Sequence, residues 1–231
     1  MADKIIVEDR SVVVPGETLC IGMSYLPGHG AHRVKEEIHS SIVGLVNIKD
    51  RVIKVIPLSG AYFPRKGDKV IGQVVDVGRS AWDIDIKAPL VAFLTIADAT
   101  RSYIELGEDL SRYYNIGDYV YAEVASVSRT MDIRLQMKDR MFKKLSPAMI
   151  VEISPVKVPR IIGKRGSMIN VLKEETKCSF IVGQNGLVWI KGENRKNELI
   201  ASKAIKFIEK NAHVSGLTEG IKEKIKEWME K

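Results

Sequence analysis

The phrase Lys66-Gly67-Asp68-Lys69-Val70 returns fifty residues later as Ile116-Gly117-Asp118-Tyr119-Val120, and each copy opens a run of alternating apolar residues. Glycine reaches a turn conformation closed to other residues and the aspartate bonds the turn backbone, so each phrase reads as a turn that launches a strand. Strands are predicted over Lys69 to Gly78, Ala81 to Ile86, Val91 to Ile96, Tyr119 to Val127 and Ile133 to Met137. Five strands in so short a segment suit a small barrel better than a sandwich, which wants about seven strands and 100 residues.

The count and size within 67–138 fit the five-stranded Greek-key barrel that binds oligonucleotides, the OB-fold. Residues 1–66 read as a small β domain: Ile5 to Val7, Ser11 to Val14 and Leu19 to Gly22 are strand-like, a Gly/His-rich loop follows, and His39 to Ile48 and Arg51 to Pro57 are joined at Lys49-Asp50. In 139–231 the period changes. Ala148 to Ile153 reads as a strand, Val158 to Ile162 and Ser167 to Lys177 as helices, Cys178 to Val182 and Leu187 to Lys191 as a strand pair, and Asn194 to Lys210 as a longer helix with Leu199, Ile200, Ala204, Ile205, Phe207 and Ile208 on its packed face. A last helix from Leu217 carries Ile221, Ile225, Trp228 and Met229 on the side that would dock onto the body. The expected class is therefore α+β and multidomain, in three parts.

Charge concentrates at one end. The chain of 231 residues carries a net +7, but 139–231 alone hold 19 basic and 11 acidic side chains, whereas 67–138 are net acidic. A local basic surplus is the footprint of a polyanion partner, and a solvated lysine-rich helix produces the same count. No apolar run approaches the ~20 residues that cross a bilayer, so no membrane role and an intracellular, cytoplasmic setting are expected. Two cysteines, Cys20 and Cys178, exclude a disulfide framework and read as buried small hydrophobes.

Within the basic segment, Val158-Pro159-Arg160-Ile161-Ile162-Gly163-Lys164-Arg165-Gly166-Ser167 links two helices inside a βααββα order, with Ser167 positioned to cap the second. This resembles the KH domain, whose GxxG loop clamps nucleotides of single-stranded nucleic acid. Gly163 and Gly166 lack a Cβ, so phosphates can approach the backbone and the helix N-terminus, while Arg160, Lys164 and Arg165 add charge. A basic helix corner is the competing reading. Residues 67–138 are similar to the S1 domain, an RNA-binding OB-fold in which aromatic side chains stack on bases. Trp82 is the local candidate for stacking, yet alternation puts it beside Ile84 and Ile86, which favours the core. Further contacts would come from Arg79, Lys87, Arg101, Arg112 and Arg129 in loops.

Gly183-Gln184-Asn185-Gly186, ahead of Leu187-Val188-Trp189-Ile190, reads as a structural hairpin turn built on Asn185-Gly186. Such a G-x-N-G turn in a KH domain that follows an S1 domain and a short β domain is similar to the cap subunits of the archaeal exosome. That resemblance covers essentially the whole chain. It implies an RNA-binding accessory protein without catalytic residues, metal or cofactor, three copies of which, alone or mixed with a related cap subunit, sit on a hexameric ring of RNase PH-like subunits. The ring would degrade single-stranded, adenine-rich RNA from its 3′ end by phosphorolysis. The N-terminal domain would bind the ring, the S1 domains would surround the pore, and the KH domains would lie outside.

Other classes are less well served by the residues. Asp83 and Asp85 share a strand face and could hold a divalent cation for hydrolysis, but no third carboxylate stands nearby. Cys20, His29, His32 and His39 match no common zinc spacing. A translation or transcription factor using the same modules would bind RNA without any ring. A polynucleotide phosphorylase fragment would carry KH before S1, the reverse of the order here.

Overall fold

The computed structural model describes residues 4–100, 108–212 and 217–230. The chain divides into two compact units, Met1–Gly60 and Ala61–Lys231.

The first unit contains β1 (Lys4–Ile5), β2 (Val12–Val13), β3 (Thr18–Ile21), β4 (Leu26–Pro27), β5 (Ala31–Val34), β6 (Glu37–Ser40), β7 (Gly44–Lys49) and β8 (Val52–Pro57). They form two sheets, ordered β1-β3-β6-β5 and β2-β7-β8-β4. Val13, Leu19, Cys20, Ile38, Val46, Ile53 and Val55 fill the core. The run His39 to Ile48, expected as one strand, is two: β6 and β7 belong to different sheets. The buried Ser40 hydroxyl donates to the Ile42 carbonyl at 2.7 Å, offering the backbone a local alternative to the ladder where the chain changes sheet. The expected Gly/His-rich loop also gains two short strands, β4 and β5. β7 and β8 meet through Asp50 and Arg51, both at positive φ, as a two-residue hairpin turn that matches strand twist requires.

The second unit begins with β9 (Lys69–Val77), β10 (Ala81–Asp85), β11 (Ala92–Thr95), a single helical turn α1 (Ile96–Ala99), β12 (Tyr119–Val127) and β13 (Ile133–Gln136). The order β13-β11-β10-β9-β12 closes through pairing of β12 with β13, giving the five-stranded barrel expected, and β14 (Lys143–Leu145) extends its wall along β12. The repeated phrases clamp each other. Gly67 donates to the Val124 carbonyl and Val124 to that of Asp68; Gly117 donates to Val74 and Val74 to Asp118, all at 2.8–2.9 Å. Each turn thus fastens the middle of the strand that the other launches, with both glycines at positive φ as expected. Tyr62, just beyond Gly60, packs into the barrel core and donates to the Asp68 carboxylate at 2.8 Å.

The chain continues through β15 (Met149–Glu152), α2 (Val158–Ile162), α3 (Ser167–Thr176), β16 (Ser179–Val182), β17 (Leu187–Lys191), α4 (Arg195–Lys210) and α5 (Leu217–Glu230). This is βααββα with an antiparallel sheet ordered β15-β17-β16, plus a docked terminal helix whose Ile221 and Ile225 are wholly buried. On α4 the inward face is Ile200, Ala201, Ala204, Ile205 and Ile208; Leu199, expected inside, is half exposed because it lies off the stripe that meets the sheet. No helix among the described residues is long and apolar enough to cross a membrane.

Candidate nucleic-acid interface

The Gly163–Gly166 loop turns sharply between α2 and α3. Gly163 has φ +74°, Arg165 +54° and Gly166 +81°. A Cβ on Gly163 would lie 2.6 Å from the Met168 amide nitrogen and 2.8 Å from Met168 Cβ, so only glycine lets the loop fold this tightly against the first turn of α3. A Cβ on Gly166 would meet Ile169 Cγ2 at 3.8 Å, an ordinary contact, so there the left-handed φ and not space calls for glycine. Arg160, Lys164 and Arg165 are exposed, and none forms an ion pair with a described residue. Ser167 does not cap α3: it is the first helical residue, Gly166 occupies the N-cap in left-handed conformation, and no side chain bonds the first-turn amides. The Gly166 amide donates to the Gly163 carbonyl at 3.2 Å and the Ser167 amide to the Lys164 carbonyl, so it is the positive helix end and the three unpaired cations that present an anion-binding tip.

In the barrel the expected contacts separate. Trp82 is fully buried, and its indole N–H donates to the Tyr114 carbonyl at 3.0 Å and the Leu110 carbonyl at 3.3 Å. It packs edge-on against Tyr114 and offers no face to a base, which corrects the stacking candidate. Alternation with Ile84 and Ile86 was the decisive signal. Arg79 lies in the β9–β10 turn beside a cleft of about 570 Å³ that Asp109 and Leu110 also line, close in sequence to exposed Arg112. Lys87 lies past the other end of β10, paired with Asp85 at 3.5 Å, and faces Tyr119, Ile150 and Glu152. Exposed Arg129 is in the β12–β13 turn. Arg101 lies outside the described residues. These cations therefore do not make one patch.

The G-x-N-G turn does more than close a hairpin. Asn185 is buried, and its amide group donates to the Ile71 carbonyl at 2.7 Å and the Ile86 carbonyl at 2.9 Å of the barrel, while its oxygen accepts from the Ile71 amide at 3.3 Å. Gln184 accepts from Lys69 through its side chain at 2.6 Å and donates to it through its backbone at 2.8 Å. A Cβ on Gly183 would stand 2.9 Å from the Ile71 amide and one on Gly186 2.3 Å from the Ile153 carbonyl, so both glycines permit backbone contact. Around this pin, Ile71, Leu145, Leu187 and Trp189 form a small apolar core of their own. The KH-like and barrel parts are thereby one body.

A second fixed point escaped the sequence reading. Asp98, 3% exposed, accepts from Arg134 Nε at 2.7 Å and from Thr95 at 2.9 Å and pairs with Lys138 at 3.1 Å. Burial alone would raise its carboxyl, but the bonds from Lys138, Arg134 and Thr95 prevail and hold it below the usual carboxylate range. Its two charged partners lie 36 and 40 residues away, and no local pattern announces them. Asp83 is exposed, Asp85 is spent on Lys87, and no cluster of three metal-ligating side chains occurs among the described residues.

This architecture defines a multidomain RNA-binding protein: a β domain, an S1-type barrel and a KH domain in that order. Family models match each part, the Exosome RNA binding protein RRP4 N-terminal domain over 10–59, the RRP4 S1 domain over 61–126 and a KH domain over 149–196. The chain belongs to the Rrp4 family of exosome complex components. It is 45% identical over 222 residues to Exosome complex component Rrp4 of Pyrococcus abyssi, covering 95% of this chain and 83% of that protein. The counterpart from Saccharolobus solfataricus is 40% identical over 228 residues, covering 98% and 92%. A crystal structure described as that of an exosome complex RNA-binding protein matches with TM-score 0.68 at 36% identity, over 74% of this chain and 98% of that one.

Proposed function

We propose that this chain is a non-catalytic cap subunit of an archaeal exosome that captures single-stranded, adenine-rich RNA and feeds it to a ring of RNase PH-like subunits degrading from the 3′ end by phosphorolysis. The observation that carries the reading is the exposed, unpaired Lys164–Arg165 tip held between Gly163 and Gly166 at the start of α3. The family resemblance supports the ring, three copies per assembly or a mixture with a related cap subunit, the adenine preference and a cytoplasmic setting.

The N-terminal unit supplies a surface suited to a protein partner. Val12 pairs with Leu45 and Leu45 with Ile56 across β2, β7 and β8, so the three side chains stand in one row. Val12 and Ile56 are 60% and 50% exposed, and exposed Val43 and Leu58 extend the row. A contiguous apolar face on a small sheet marks a protein-docking site. Weak RNA contacts repeated around a ring would act together through effective concentration.

The test is the salt dependence of binding to oligoadenylate. Lys164→Ala with Arg165→Ala is expected to make the log-affinity against log-salt slope shallower by about 1.4, at about 0.7 per phosphate released. Unchanged affinity and slope would reduce the loop to a structural corner.

A further inference from the structure

A groove of about 730 Å³ opens where the barrel meets the KH sheet, lined by Tyr119, Lys144, Ser146, Pro147, Ile150 and Trp189 among others. Strand register dictates its chemistry. On β12, Tyr119 alternates with Val120 and Ala122, which fill the barrel core, and packs on the small seam core instead, while β14 pairs Tyr119 with Leu145 and Tyr121 with Lys143. On β17, Val188 and Ile190 enter the KH core, so Leu187, Trp189 and Lys191 share the opposite face. Two aromatic side chains, one from each domain, thus converge on the Ser146–Ala148 connection. Trp189 is held there by its indole N–H, which donates to the Ser146 carbonyl at 2.9 Å.

Cations rim the same groove. Lys144 lines it directly, and Lys191 Nζ donates to the Ser146 hydroxyl at 3.0 Å. Exposed Lys143 stands next along β14. Lys144 pairs with Asp118, whose carboxyl burial would raise but the bonds from Lys144 and Asn115 hold low. The half-buried Tyr119 ring over the buried Trp189, under a rim where lysines outnumber the one carboxylate of Asp118, suits a single-stranded nucleic acid: a ring face for a base and ammonium groups for the flanking phosphates.

We infer that this seam groove is a second RNA contact, seating one unpaired nucleotide of the strand with its base against the half-buried Tyr119, over a floor that buried Trp189 completes, and its phosphates at Lys144 and Lys191. The inference rests on the RNA-capture reading and adds a site apart from the GxxG tip.

Two measurements on the full chain decide it. The first is binding of a fluorescein-labelled oligoadenylate to wild type, to Lys144→Gln/Lys191→Gln and to Lys144→Arg/Lys191→Arg. The neutral pair should weaken binding at low salt on the order of tenfold and flatten the salt slope by about 1.4, while the arginine pair keeps both. The second is photocrosslinking of thiouridine-substituted RNA, which should join RNA to the peptide carrying Tyr119. Wild-type binding with unchanged slope in the neutral pair and crosslinks confined to other peptides would overturn the groove and leave RNA capture standing. Absence of any wild-type binding would overturn both.

Discussion

Replacing Asp98 by Asn keeps the shape of the side chain and removes the charge to which Arg134 and Lys138 bond. Both partners stay about half in water, so the expected loss is about 2 kcal/mol, read as a lower midpoint in urea unfolding. The folded carboxyl lies below its unfolded value, so its contribution is present above the unfolded pKa of about 3.9 and disappears as pH falls through the depressed folded value. Stability measured against pH should therefore lose part of its acid limb in Asp98→Asn; an unchanged limb would assign that limb to other carboxylates. Trp82→Phe makes a contrasting case. It leaves two backbone carbonyls without their donor and should cost about 1–3 kcal/mol, while RNA affinity of the folded protein stays as it was. A selective loss of RNA binding would restore the stacking role. Alternation around Trp82 made its burial legible, whereas Asp98 sits in a short Ile-Ala-Asp-Ala turn that no periodicity marks.

At the scale of elements, the hairpin turn 183–186 illustrates what local signals can and cannot say. Asn185-Gly186 announced a turn correctly, because turn chemistry is written in adjacent residues. Its buried bonds to Ile71 and Ile86, about a hundred residues upstream, were invisible because sequence spacing carries no record of a partner on another sheet. Removing them by Asn185→Ala leaves barrel carbonyls unpaired and should cost about 2–4 kcal/mol. It should also divide one calorimetric unfolding transition of the second unit into two, since barrel and KH domain each own a core. A single transition of unchanged midpoint would contradict the pin. The barrel strands themselves were legible because the two Gly-Asp phrases mark both strand starts, and the α4 stripe erred only at Leu199.

For the whole molecule, the division of surfaces follows from composition as well as contacts. The acidic barrel and the basic KH segment share one compact unit, and the N-terminal unit carries the apolar row Val12, Leu45 and Ile56. Val12→Asp with Ile56→Asp should abolish association with the ring in size-exclusion chromatography while leaving oligoadenylate affinity unchanged, because those side chains are already in water and a carboxylate there costs folding little. Retained association would move docking to another face. The most direct measurement of the central claim is native mass spectrometry of the chain with labelled oligoadenylate, in the absence and presence of the ring. The account predicts RNA held at its full, uncut mass by the chain alone and, in phosphate-free solution where phosphorolysis cannot proceed, again within a ring-bound assembly. RNA retained in neither sample, or shortened by the chain alone, would contradict it.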